Sequence, residues 1–125
     1  MTERRFLTHH LPALTWAIVI FLLLSLPSSS FPKAPIYIPS LDKLIHAAMF
    51  FIMALLLHRS FSVSPSIAAP LLLAVVVATL YGSLGEVYQM LLPDRSADVV
   101  DAVSNGGGAL LYAAVARIRS RSKRQ

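Results

Sequence analysis

Residues 67–118 read IAAPLLLAVVVATLYGSLGEVYQMLLPDRSADVVDAVSNGGGALLYAAVARI. Two long apolar runs flank a break at Pro93-Asp94-Arg95-Ser96, and most of the polar residues gather beside that break. As a helix, 67–92 would be about 39 Å long at 1.5 Å per residue. That exceeds the roughly 30 Å of bilayer hydrocarbon, so this helix must tilt or carry its end out of the apolar layer. Pro93 stops it, because proline has no amide hydrogen for a continuing turn. The run 98–118 is of spanning length. A membrane hairpin is therefore expected.

The same reading extends outward. Residues 41–58 form another apolar run, with Asp42 placed to complement a helix N-terminus after Ser40 as N-cap. Residues 11–26 are apolar apart from Thr15 and Ser25, with Pro12 suited to a first helical turn. Phe6 and Leu7 lengthen this run, giving an expected span over 8–26. Arg4 and Arg5 before it and Ser28–Ser30 after it have the shape of a secretory signal, but no A-x-A-like cleavage site follows. An uncleaved span is the expectation. Segment 27–40 holds four prolines and reads as a loop with Phe31 and Tyr37 at the membrane surface. Residues 58–66 read as a short turn. The expected fold is all-α and integral to a membrane. It is a compact bundle of four transmembrane helices, a single domain over 1–125, with spans near 8–26, 41–58, 67–92 and 98–118.

Composition agrees. Of 125 residues, 56% are hydrophobic and 14% charged, against about 25% charged in a soluble domain. There is no cysteine, which excludes disulfides, thiol catalysis and thiolate metal sites. The net charge of +5 is concentrated in a basic tail, 117–125, carrying Arg117, Arg119, Arg121, Lys123 and Arg124. Such a tail is expected to meet anionic lipid at the cytoplasmic surface. It has no aromatic residue to stack on bases, and no nucleic-acid partner is expected. Placing both termini in the cytoplasm puts Arg4, Arg5, Arg59 and the five tail residues inside, with Lys33, Lys43 and Arg95 outside, as the positive-inside rule favours. Five of the six acidic residues (Asp42, Glu86, Asp94, Asp98, Asp101) then fall at the outer face.

Spacing tests whether these residues share faces. Asp42 and His46 are four apart and Lys43 and His46 three apart, both neighbouring positions on a helix. Gly82, Gly85, Glu86 and Gln89 form one stripe, while Asp98, Asp101, Asn105 and Gly108 form another that Tyr112 extends inward. Polar stripes must face protein or water rather than lipid. Three of them at one level are expected to converge on a polar pocket open to the outside. Each residue also has a plain structural reading. Asp42 and Lys43 would be a terminal pair with Lys43 snorkelling, His46 a packing histidine, and Glu86 the partner of Lys43 or Arg95. On the same reading Asp98 would be a helix-start acid and Asp101 and Asn105 interhelical glue. The glycines would be packing residues, with Gly106-Gly107-Gly108 marking a tight crossing. His9 and His10 are expected in solvent. Asp42, His46, Glu86, Asp98 and Asp101 offer ligands suited to Mg²⁺, Mn²⁺ or Zn²⁺, but no ligand-spaced motif such as HExxH occurs, and no metal is assigned. Phosphate-binding loops and nucleophile elbows are absent as well, and no cofactor is named.

Taken together, Asp42-Lys43-x-x-His46 with Phe50, Gly82-x-x-Gly85-Glu86-x-x-Gln89 and Arg95-Ser96-x-Asp98-x-x-Asp101-x-x-x-Asn105-x-x-Gly108 resemble the VanZ-like family over about residues 41–112. The resemblance implies a small multi-span protein of the bacterial cytoplasmic membrane. The family's founding member is associated with resistance to the glycopeptide teicoplanin. The family name itself supplies no molecular activity. The expected ligand-binding set is Asp42, Lys43, His46, Glu86, Gln89, Arg95, Asp98, Asp101 and Asn105, taking a lipid-linked or amphiphilic envelope ligand or a glycopeptide. In that reading Lys43 and Arg95 pair an anionic head group. Two rival readings stay open. One is a membrane-embedded acid–base enzyme acting on a lipid phosphate or glycolipid, with His46, Glu86 and Asp101 as candidate catalytic residues. The other is a structural scaffold or partner subunit, homo-oligomers included. Because the inner halves of the helices are nearly all apolar, a monomeric pore is disfavoured.

Overall fold

The computed structural model describes residues 2–26, 41–93 and 98–125. Expectations for the loop 27–40, the Ser40 cap, the turn 94–97 and Arg95 lie outside the described residues. Four helices are long and apolar enough to cross a membrane: α1 (Glu3–Ser25), α2 (Leu41–Ser62), α3 (Pro70–Gln89) and α4 (Val99–Lys123). The described residues contain no strand, and the fold is an all-α four-helix membrane bundle. At 1.5 Å per residue each helix is about 30–38 Å long, enough for the hydrocarbon layer.

Helix bounds differ from the expected ones where local chemistry permits. Helix α1 starts at Glu3, and Pro12 lies in the first turn of its regular α-helical part, Leu11–Ser25. The turn before it is widened into a π-helical stretch, Phe6–His10, with the Leu11 amide donating to the Phe6 carbonyl. Widening separates the proline ring from the preceding turn, where it would meet a carbonyl four residues back. The second helix continues through His58 and Arg59 to Ser62 instead of turning at 58. Nothing in 58–62 breaks a helix, and Pro65 lies beyond its end. The third begins at Pro70, whose missing amide hydrogen costs nothing at a helix start. Asp98 caps α4, its carboxylate accepting from the Val100 amide at 2.8 Å.

Helices α2, α3 and α4 pack against one another, and α1 lies on α2 and α3; among the described residues α1 does not contact α4. Phe50, Met53, Ala54, Ala78 and Ala109 form the buried centre, closed on the α1 side by Ile20 and Leu24. Small residues set the spacing. A Cβ on Gly108 would collide with the carbonyl oxygen of Ala47, so α2 and α4 touch backbone to backbone there. Polar tips pin α1. The Trp16 indole donates to the Met49 carbonyl at 2.9 Å, and the Tyr81 hydroxyl donates to the Ala17 carbonyl at 2.5 Å. His10 Nδ1 lies 2.6 Å from Ser60 Oγ, and Ser25 Oγ lies 3.1 Å from the Tyr88 hydroxyl. These contacts run α1 antiparallel to α2 and bring the ends of α1 and α3 together. Outward-facing side chains are apolar, Ile18, Leu44, Leu72, Leu84 and Leu111 among them. In a spanning bundle that is the surface lipid requires.

Candidate functional site

The start of α2, the end of α3 and the start of α4 meet at one end of the bundle, and their polar residues form one cluster. Lys43 is its centre. The ammonium contacts Asp98 Oδ2 at 2.7 Å, Asp101 Oδ1 at 2.5 Å and Asp42 Oδ2 at 3.0 Å. It therefore ties α2 to the first turn of α4 and does not extend away from the protein as a snorkelling side chain. Asp98 has two roles, since the oxygen that does not cap α4 binds Lys43. Lys43 and the Val100 amide together hold the Asp98 carboxyl below the ordinary carboxylate range.

Glu86 differs from the expectation of pairing with Lys43. Its Oε2 accepts from the Asp98 backbone amide at 3.1 Å, linking the end of α3 to the cap of α4. Its Oε1 is buried and has no partner among the described residues. One turn deeper along α2, His46 Nδ1 donates to Asn105 Oδ1 at 3.0 Å. That bond turns Nε2 toward Asp101 Oδ2, 3.7 Å away. Asn105 is buried on α4, and a Cβ on Gly82 would stand 3.0 Å from it and from the Phe50 ring. Gly82 thus leaves room for the asparagine that orients His46.

Exposure grades the cluster from rim to floor. The Asp42 side chain is 65% exposed and that of Asp101 16%. Glu86, Gln89 and Asn105 are buried. The structure thus joins Asp42, Lys43, His46, Glu86, Asp98, Asp101 and Asn105 by direct contacts and buries Gln89 on the same α3 stripe.

Other polar residues lie elsewhere. Tyr112 does not extend the cluster, because its hydroxyl is 2.8 Å from His58 Nδ1 in the opposite half of the bundle. His10 is not in solvent; it is half-buried against Ser60. Sequence reasoning missed both pairs. The available signal was a histidine inside or beside an apolar helix, which needs a polar partner in a membrane. His58 and Tyr112 line an open cavity of about 500 Å³ with Arg119, Ser120, Lys123 and Arg124.

Fold and site define a small multi-pass membrane protein with one polar cluster where three of its helices end. Residues 7–120 match the VanZ/LLP1 family, and the chain belongs to that family. No curated protein and no solved structure matches it.

Proposed function

We propose that the cluster faces the outside of the bacterial cytoplasmic membrane and takes the polar head group of a lipid-linked or amphiphilic envelope ligand. A position at the ends of membrane helices supports an amphiphile, whose tail stays in lipid while its head enters the cluster. The observation that carries the reading is the surplus of acceptors. Three carboxylates (Asp42, Asp98, Asp101) contact one described cation, Lys43, a fourth, Glu86, joins the cluster without touching it, and the Glu86 Oε1 acceptor has no partner among the described residues. A head group rich in hydroxyl or amino groups suits this set. An anionic head would have to take Lys43 from three carboxylates. Protection against teicoplanin or a related envelope stress is the cellular outcome that the family resemblance implies.

Replacing Glu86 by Gln or Asp101 by Asn removes charge with almost no change of shape. The expected result is native-like thermal unfolding of the purified variants with loss of protection in cells lacking the native protein. Unfolding that worsens in step with lost protection would overturn the reading in favour of interhelical glue. The His46–Asp101 approach favours a second reading, acid–base catalysis on a lipid phosphate or glycolipid. Turnover of such a lipid by the purified protein, abolished by His46→Ala, would establish it instead. At the other end, the basic cavity beside Arg119, Lys123 and Arg124 has the charge to meet anionic cytoplasmic lipid.

A further inference from the structure

We infer that His46, Glu86 and Asp101 form a binding site for one divalent transition-metal ion, of the Zn²⁺ or Mn²⁺ class, set into the floor of the cluster. The inference deepens the head-group reading, which places function at the same cluster, by naming what a head group would meet there.

One ligand atom from each of the three residues lies within 4.8 Å of the other two. Atoms sharing an ion at about 2.1 Å stand roughly 3–4 Å apart, so a small rotamer adjustment closes the set. The pattern of occupied and unoccupied atoms points the same way. Each residue is anchored through one atom and leaves another available. Nδ1 of His46 is held by Asn105, leaving Nε2. Oδ1 of Asp101 is held by Lys43, leaving Oδ2 near that same Nε2. Oε2 of Glu86 is held by the Asp98 amide, leaving a buried, unpartnered Oε1. Anchoring a ligand by its second atom is how metal sites fix tautomer and orientation.

Charge supplies the independent reason. Glu86 is 5% exposed, and among the described residues no cation touches it. A buried carboxylate without a counter-charge is costly, more so at a membrane level. Lys43 is shared among Asp42, Asp98 and Asp101 and does not reach Glu86. One imidazole with two carboxylates suits Zn²⁺ or Mn²⁺, whereas an all-oxygen set would suit Mg²⁺ or Ca²⁺. Three protein ligands leave at least one position for water or a head-group oxygen.

The test uses untagged, full-length protein purified in detergent, stripped with EDTA and titrated with Zn²⁺ or Mn²⁺ alone. The expected result is saturable one-to-one binding that raises the unfolding temperature and is reversed by EDTA. His46→Gln and Glu86→Gln should each weaken it more than about tenfold, while His9→Gln should leave it unchanged. X-ray absorption at the zinc edge of the wild-type protein should show a single imidazole among light-atom ligands, a readout that does not depend on any variant folding. Absence of saturable binding, as when a proton rather than an ion neutralises Glu86, would overturn the inference. So would binding that survives both substitutions, or a spectrum with two imidazoles. Because no lipid is present, failure here leaves the head-group reading standing. A bound ion together with unaffected cellular protection would remove the head-group reading and keep the ion.

Discussion

Lys43 shows how one side chain acquires its role from its neighbours. A lysine in the first turn of an apolar helix ordinarily reaches for water along its own stem. Here three carboxylates converge on its ammonium, two of them from another helix. Removing the charge while keeping the stem, as in Lys43→Met, leaves those carboxylates facing one another, and the unfolding temperature is expected to fall. Proton linkage gives the same bridge a pH signature. The folded-state pKa of Asp98 is depressed below its value in the unfolded chain, so its contribution is full above about pH 4. That contribution fades as pH drops through the lower folded value. The Asp98 contribution, read as the difference in thermal midpoint between the wild type and Lys43→Met, should therefore be nearly constant from neutral pH down to about 5 and shrink below about 4. An equal acid decline in both proteins would show that the bridge is not its source.

At the level of elements, the tight passage between α2 and α4 brings His46, Lys43, Asp101 and Asn105 within reach of one another. Gly108 permits it. Gly108→Ala places a methyl group against the Ala47 carbonyl and is expected to cost about 1–3 kcal/mol as overpacking. Gly107 has open space around an added Cβ, so Gly107→Ala should be neutral or stabilising by up to about 1 kcal/mol, since alanine loses less backbone freedom in a helix. Comparing the unfolding of the two variants separates packing from propensity. Equal effects would mean that the crossing is not limited by Gly108. The triple glycine looked uniform in the sequence, yet its three members differ because each lies on a different side of α4.

For the whole molecule, antiparallel packing puts the acidic cluster at one end and the basic tail at the other, which makes orientation decisive for function. With no native cysteine, single substitutions report it cleanly. Asp42→Cys should react with a membrane-impermeant maleimide in intact spheroplasts, and Lys123→Cys only after permeabilisation. The reverse pattern would place the cluster in the cytoplasm and end the envelope-ligand reading. The sequence by itself determined the four spans, because bilayer thickness converts directly into a length of apolar chain. It also determined which residues stand apart from those spans, and helical periodicity grouped them into stripes. Asp98 was legible as a helix-start acid for the same local reason. Pairing was not legible. Helical spacing says which residues share a face, not the rotation and depth at which two faces meet. Only the tertiary structure therefore decided that Lys43 takes Asp98 and Asp101 rather than Glu86, that Tyr112 turns to His58, and that His10 meets Ser60. The three unanchored atoms of His46, Glu86 and Asp101 were hidden for the same reason. The three residues come from three different helices, and only close helix packing brings one ligand atom of each within 4.8 Å of the others.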